Sequence, residues 1–211
     1  FFSSLADNAL LVAAIALLMQ MQSPAWLTPM LKVFFTVSYV AFAAFVGAFA
    51  DSMPKGRVMF ITNSVKIVGC LMMFFYDAVR LPSVPPFITV LVAYAVVGLG
   101  AAAYSPAKYG ILTEYLPHQK LVIANGWIEG LTVASIILGT LFGGVLISQA
   151  VSSQLLTFAL PNIETGIDTA PEAAILIIII FYAIAAGFNL YIPNTGVDHR
   201  VPSKNPFYLI H

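Results

Sequence analysis

The sequence predicts an all-α integral membrane protein with six transmembrane helices. Hydrophobic residues make up 60% of the 211 positions and charged residues only 9%, whereas about a quarter of a typical soluble domain is charged. The apolar residues form six runs, each long enough to supply the roughly 20 mainly apolar residues that a spanning helix needs. Polar gaps separate these runs, as expected for helices joined at the membrane surface.

Each predicted helix is bounded by a polar or proline-containing gap. The first run contains Asp7 and Asn8 and no basic segment, so it does not have the pattern of a signal peptide. The fifth gap, Val151–Glu172, is much longer than the others and is predicted to be a loop. The six predicted helices are Phe1–Met21, Pro29–Ala50, Arg57–Tyr76, Phe87–Leu112, Leu121–Ala150 and Ala173–Pro193.

The last three predicted helices differ in character. The fourth carries Ser105-Pro106, and proline removes a backbone donor, so the helix is expected to bend or break there. The fifth contains two GxxxG pairs, Gly126/Gly130 and Gly139/Gly143, which allow close helix contact. The sixth is rich in isoleucine (Ile175–Phe181) and is expected to face lipid.

Basic residues predict the orientation, because Lys and Arg concentrate on the cytoplasmic side. Lys55, Arg57 and Lys120 lie in or beside the second and fourth gaps, and Arg200 and Lys204 follow the sixth helix. The long fifth gap contains acidic residues and neither Lys nor Arg. The second and fourth gaps and both chain ends are therefore expected to be cytoplasmic.

Composition also narrows the function. The formal net charge is zero, which argues against a nucleic-acid partner. A single cysteine, Cys70, cannot form an intrachain disulfide and is expected to pack between helices. None of the three histidines begins an HxxxxD box, and no metal-ligand spacing, GxSxG or phosphate-binding loop occurs. The chain is predicted not to be an enzyme and to need neither metal nor cofactor.

Four ionisable residues fall inside the predicted spans, where a charge is costly and is a functional candidate by default. They are Asp7, Lys66, Lys108 and Glu129. At ~1.5 Å per residue, all four are predicted in the cytoplasmic half, where two acids and two bases can pair. An ordinary alternative stays open for three of them: the lysines snorkel to the surface, or Glu129 makes a helix–helix hydrogen bond.

Two asparagines extend this set. Asn8 follows Asp7, and Asn125 shares a helix face with Glu129, so a polar stripe is expected to point into the bundle. The stretch Gly98–Glu114 joins small residues, the Ser105-Pro106 step and Lys108, which is typical of a helix lining a transport pathway. The competing interpretation is an ordinary proline-kinked helix.

The segment between the second and third helices, Gly47-Ala-Phe-Ala-Asp-Ser-Met-Pro-Lys-Gly-Arg57, resembles a loop signature of the major facilitator superfamily. It departs from the common pattern by two extra residues before Gly56 and by Ser52 at a usually basic position. The resemblance implies the N-terminal six-helix half of that fold, with helices one, two, four and five around a cavity and three and six outside. It also implies that Asp51 and Arg57 belong to a cytoplasmic latch.

Three further segments resemble the bacterial lysophospholipid transporters of that superfamily: Asp7–Leu10, Ala101–Leu112 and Ala124–Glu129. The resemblance implies a flippase in the inner membrane that moves lysophosphatidylethanolamine-type lipids for reacylation by alternating access. It also implies a cytoplasmic or fused acyltransferase and acyl-carrier-protein synthetase as a partner. The implied substrate-binding residues are Asp7, Asn8, Lys66, Lys108, Asn125 and Glu129, and the implied gating or loop residues are Gly47, Asp51, Gly56, Arg57, Ser105 and Pro106.

The domain prediction is a six-helix bundle at residues 1–193 and the start of a cytoplasmic linker at 194–211. Because the chain begins at Phe1 without Met and ends in a polar stretch, it is expected to be part of a longer protein. Two other functions remain open. One is a proton-coupled exporter of small molecules or drugs, with Asp7 or Glu129 as proton carrier, and the other is a non-transporting membrane domain that serves an acyltransferase.

Overall fold

The computed structural model describes residues 1–77, 85–157 and 169–193, and every regular element in them is a helix. The predicted tail at 194–211, which contains Arg200 and Lys204, and positions 158–168 of the predicted loop Val151–Glu172 lie outside the described residues. Six long helices and one short helix follow in order. They are α1 (Phe2–Gln20), α2 (Leu27–Ser52), α3 (Lys55–Phe74), α4 (Pro86–Tyr115), α5 (His118–Ile147), α6 (Gln149–Thr157) and α7 (Ala170–Leu190).

The six predicted spans are confirmed as helices, with shifts of a few residues at their ends. Five of them, α1, α3, α4, α5 and α7, are each long and apolar enough to cross a membrane. The sixth, α2, passes the same test as two parts, Leu27–Ala43 and Phe45–Ser52, which meet at an angle of 65°.

Two local predictions are wrong in part. The helix α4 continues through Ser105-Pro106 to Tyr115 without a break, and the alternative of a bend at this step stays a prediction. Proline forfeits one backbone hydrogen bond there, but packing on both sides of α4 holds the helix together. The first part of the predicted loop Val151–Glu172 is helical instead, because α6 extends from Gln149 to Thr157.

The long helices pack as an open arc. Its order is α2, α4, α3, α7, α1 and α5, so the two ends of the arc are α2 and α5. Close approach along the arc depends on glycines: a Cβ at Gly139 of α5 would lie 2.5 Å from the Leu5 carbonyl oxygen of α1, and one at Gly69 of α3 would lie 2.6 Å from Val97 of α4. Small residues thus set the spacing of the arc.

The core lies inside this arc. All six long helices contribute buried apolar residues to it, and α5 contributes Leu146 near its C-terminal end. Cys70 is fully buried there, as predicted. The sixth spanning helix, α7, was expected to face lipid, yet Ile175, Ile178 and Tyr182 on one of its faces are fully buried. Its opposite face, which includes Ile180 and Phe188, is exposed, so only this half of the prediction holds.

Candidate functional site

A buried ion pair joins α1 to α3. The Lys66 ammonium lies 2.9 Å from Asp7 Oδ1 and 2.8 Å from Asp7 Oδ2, and the lysine side chain is only 1% exposed. Lys66 lies near the middle of α3, so it does not snorkel to the surface. The predicted position of the pair in the cytoplasmic half of the membrane stays a prediction. The predicted pairing of acids with bases is confirmed for these two residues.

Neutral polar groups complete the bonding of this pair. Tyr182 of α7 donates its hydroxyl to Asp7 Oδ1 at 2.6 Å. The Lys66 ammonium also donates to Ser3 Oγ at 3.0 Å, and Ser3 Oγ donates in turn to Asn63 Oδ1 at 2.7 Å. A buried ion pair survives in a low dielectric only when such bonds compensate for lost water. Helices α1, α3 and α7 are thus tied together at one point.

Two aromatic rings flank the Lys66 ammonium. It lies 5.1 Å from the ring centre of Tyr104 on α4 and 5.5 Å from that of Tyr182. A cation over an aromatic face is attracted by the ring quadrupole. Sequence reasoning missed Tyr182, Ser3 and Asn63, because single neutral polar residues in apolar helices carry no signal above packing.

Asp7 also reaches a groove on the other side of α1. A pocket of about 340 Å³ opens between α1, α2, α4 and α5, and the Asp7 side chain, 20% exposed, forms part of its wall. Asn8 lines the same pocket and donates its amide to the Ser4 carbonyl oxygen at 2.8 Å. The polar residues around the pocket are Ser4, Asp7, Asn8, Lys32, Thr36 and Thr132.

A second pocket of about 270 Å³ continues the groove along α4 and α5. It shares Ser4 and Thr132 with the first pocket and adds Lys108 to the lining. The Lys108 ammonium donates to Thr132 Oγ1 at 3.2 Å and lies 4.5 Å from the ring centre of Tyr109. The hydroxyl of Tyr109 bonds to a Glu129 carboxylate oxygen. Lys108 and Glu129 therefore meet through Tyr109 rather than as a direct pair.

The predicted polar stripe of Asn125 and Glu129 does not point into the six-helix bundle. Both side chains are exposed, and Trp127 between them is 70% exposed. A Cβ at Gly126 or Gly130 would meet nothing within 4 Å in the described part of the chain. This face of α5 is uncovered because α5 is at one end of the arc and contacts mainly α1.

In the loop motif, the residue that pairs with Asp51 is Lys55, to which the family resemblance gave no role. Lys55, only 8% exposed, donates to Asp51 Oδ1 at 2.7 Å and to the Ala50 carbonyl oxygen at 2.9 Å, and it lies 3.7 Å from Glu114. Arg57 is exposed and forms no ion pair within residues 1–77, 85–157 and 169–193. The latch role of Asp51 and Arg57 stays a prediction.

The two motif glycines differ in surroundings. A Cβ at Gly56 would lie 2.9 Å from the Asn189 carbonyl oxygen, so a larger residue here would push α3 away from α7. A Cβ at Gly47 would meet nothing within 4 Å of the described residues. Gly56 therefore has a packing reason within this bundle. The role of Gly47 stays a prediction.

Metal binding has no geometric support in the part of the chain that the structure describes. Within those residues, no three His, Cys, Asp or Glu side chains are placed to hold one ion.

Long apolar helices around a groove, with ionisable groups inside the predicted spans, define a multi-pass membrane protein with the architecture of half a secondary transporter. The chain belongs to the Major Facilitator Superfamily, whose family model matches residues 1–207. The larger pocket is lined by α1, α2, α4 and α5, as that resemblance implied, whereas Met59 of α3 also lines the second pocket and Lys66 of α3 points inward.

Several curated relatives are named "Lysophospholipid transporter LplT". The relative from Klebsiella pneumoniae is 47% identical over 160 residues, which is 76% of this chain and 38% of that protein. The relatives from Serratia proteamaculans and Yersinia enterocolitica are 39% and 40% identical over 206 residues, or 98% of this chain and 44% and 43% of those proteins. The chain thus spans less than half the length of the relatives that it matches.

Proposed function

We propose that this chain is the N-terminal half of a lysophospholipid transporter that moves lysophosphatidylethanolamine-type lipids across a bacterial inner membrane. The observation that carries the proposal is the groove itself, whose wall of polar and charged side chains includes the Asp7 carboxylate. The names of the relatives supply the substrate class. Residues 1–193 form the first bundle in this proposal, and a second six-helix half follows the linker.

The groove suits a lipid with one chain and a polar headgroup. Apolar residues such as Leu11, Phe35 and Ile136 alternate with polar ones around the larger pocket. Asp7 and Asn8 are proposed to contact the headgroup, since both line this pocket and Asp7 keeps part of its carboxylate accessible. A zwitterionic headgroup needs both an acceptor for its ammonium and a donor for its phosphate.

Lys108, Glu129 and Asn125 are assigned to the cytoplasmic part of the pathway. Lys108 lines the second pocket, and Tyr109 connects it to Glu129 on the neighbouring helix. Such a contact between α4 and α5 can open and close as two halves rock about the central site. In this proposal Lys66 stabilises the Asp7 carboxylate through their ion pair and does not contact lipid, because its side chain is only 1% exposed.

In the proposed orientation, both chain ends and the loop that holds Asp51 and Lys55 are cytoplasmic. This places Lys108 nearer the cytoplasmic surface than Asp7. Delivery on that side serves reacylation by a cytoplasmic or fused acyltransferase and acyl-carrier-protein synthetase. The chain itself is proposed to transport rather than to catalyse.

The experiment is uptake of radiolabelled lysophosphatidylethanolamine by spheroplasts that produce the full-length protein. Wild type is expected to restore uptake, and Asp7→Ala and Lys108→Ala are each expected to reduce it at least tenfold at equal protein level. An exposed residue outside the groove, Lys120, supplies the control Lys120→Ala, which is expected to behave as wild type. Normal uptake by both groove variants would refute the site.

A proton-coupled exporter is the competing function, and collapse of the proton gradient separates the two. Under the proposed function, lysolipid uptake is expected to persist when the gradient is collapsed. Loss of uptake under that condition would favour the exporter mechanism.

A further inference from the structure

The charges that line the groove do not cancel. Among the described residues, Asp7 is the one carboxylate that lines the larger pocket, and Lys66 already neutralises it. Lys32 of α2 lines the same pocket with an exposed side chain, and no described carboxylate lies within 4 Å of its ammonium. The pocket therefore carries the uncompensated positive charge of Lys32.

Lys108 lies at the other end of the groove, where Tyr109 separates it from Glu129. Its ammonium bonds to Thr132 and lies over Tyr109, but none of the carboxylates that the structure describes is within 4 Å of it. The pockets of Lys32 and Lys108 are adjacent and share the lining residues Ser4 and Thr132. The groove that these two pockets form thus has a cation toward each end and the neutral Asp7–Lys66 pair between them.

The two lysines are too far apart to hold one anion. Phe35 of α2 is level with Gly98 of α4, because a Cβ at Gly98 would lie 2.8 Å from the Phe35 carbonyl oxygen. Lys32 precedes Phe35 by three residues and Lys108 follows Gly98 by ten, and the two helices run in the same direction. At ~1.5 Å per residue the ammonium-bearing residues are roughly 20 Å apart along the axis, whereas a hydrogen bond spans about 3 Å.

We propose that Lys32 is a second binding residue for the phosphodiester of a lipid headgroup, used at the end of the groove opposite to Lys108. This inference rests on the proposed function and names a residue for its entry step. The ammonium of lysine is a compact charge with three donors, which suits an ionised phosphate oxygen. The phosphate binds Lys32 and Lys108 in turn, while Asp7 between them is the proposed contact of the headgroup ammonium.

The test uses the full-length protein in proteoliposomes, with lysophosphatidylethanolamine supplied to one membrane face at a time. Lys32→Gln is expected to raise KM about tenfold, equivalent to about 1.4 kcal/mol, for lipid supplied at the face nearer Lys32. The KM from the opposite face is expected to stay within twofold of wild type. Lys32→Arg restores a cation that binds phosphate and is expected to restore KM.

The matched control is Lys120→Gln, which removes an exposed lysine that lines neither of the two pockets. Its KM is expected to equal that of wild type from both faces. An unchanged KM in Lys32→Gln, an equal loss from both faces, or failure of Lys32→Arg to recover would each overturn the role of Lys32. If wild type moves no lysolipid, the proposed function fails and the inference fails with it.

Competition distinguishes the source of the phosphate. Glycerophosphoethanolamine presents the headgroup phosphodiester without a chain, and inorganic phosphate presents the anion alone. For wild type, glycerophosphoethanolamine is expected to inhibit uptake at a concentration at which inorganic phosphate does not, and Lys32→Gln is expected to weaken that inhibition. Equal inhibition by both compounds would overturn the headgroup assignment.

Discussion

Polar side chains on the two sides of this bundle differ in how far they are buried. On the side of α1, α3 and α7, Lys66 is 1% exposed and its ammonium is bonded by the Asp7 carboxylate and Ser3. On the uncovered face of α5, Asn125 and Glu129 are exposed. A charge inside the bundle persists only with full compensation, whereas the open side keeps polar groups available to a lipid or to a second bundle.

The two halves of α5 also differ in whether another helix packs on their glycines. Gly139 and Gly143 of α5 pack directly on the α1 backbone, while Gly126 and Gly130 meet no described residue within 4 Å of an added Cβ. Both pairs have the same GxxxG spacing. The motif permits a close approach, and the position of the helix in the arc decides whether a partner is there.

The largest expected effect comes from breaking the closed side. Lys66→Met leaves the Asp7 carboxylate without its cation, and removing one partner of a buried pair costs about 3–5 kcal/mol. The apparent stability of the full-length protein in detergent, measured by thermal unfolding, is expected to fall accordingly. The double variant Lys66→Met with Asp7→Asn removes both charges and is expected to recover much of the loss. A stable single variant would contradict the compensation argument.

The second comparison uses the two glycine pairs of α5. Gly139→Ala places a Cβ 2.5 Å from the Leu5 carbonyl oxygen, and such overpacking costs about 1–3 kcal/mol. Gly130→Ala has open space within this half and is expected to change stability by at most about 0.5 kcal/mol. Thermal unfolding of the two variants side by side measures the difference. Equal destabilisation would show that a further surface packs on Gly130.

A smaller effect is expected at the loop motif. Lys55→Gln removes the ion pair with Asp51, whose side chain is 69% exposed, so the loss is expected to be about 1 kcal/mol or less. Arg57→Gln is expected to leave stability unchanged, because Arg57 is exposed. Transport by the two variants tests the latch: a greater loss in Lys55→Gln assigns the latch cation to Lys55, and a greater loss in Arg57→Gln supports the sequence prediction.

The smallest effect on stability is expected at Asn125. Its side chain is exposed, so Asn125→Ala is expected to alter the free energy of unfolding by less than about 0.5 kcal/mol. Lysolipid uptake is nevertheless expected to fall several-fold, since the residue is predicted to line the pathway. Unchanged uptake together with unchanged stability would remove Asn125 from the site.

The spans were predictable because burial in lipid leaves few alternatives for an apolar run. The cost of isolated charges at depth likewise made Asp7 and Lys66 candidates for pairing, and the structure joins them. The bonds that Ser3, Asn63 and Tyr182 make around this pair were not predictable, because separation in sequence does not show which residues of different helices come into contact. A break at Ser105-Pro106 does not occur, because packing along α4 outweighs the local effect of the proline, and a bend there stays a prediction.

The sequence by itself determined that this is a helical membrane protein, which segments cross the bilayer and which charges need partners. These follow from local hydrophobicity and from the high cost of charge in lipid, both of which are properties of single residues. Only the tertiary structure decided that Lys66 and Tyr182 hold Asp7, that Lys55 and not Arg57 pairs with Asp51, and which glycines are covered. Those outcomes depend on the order of helices in the arc, which arises from contacts between residues far apart in the chain.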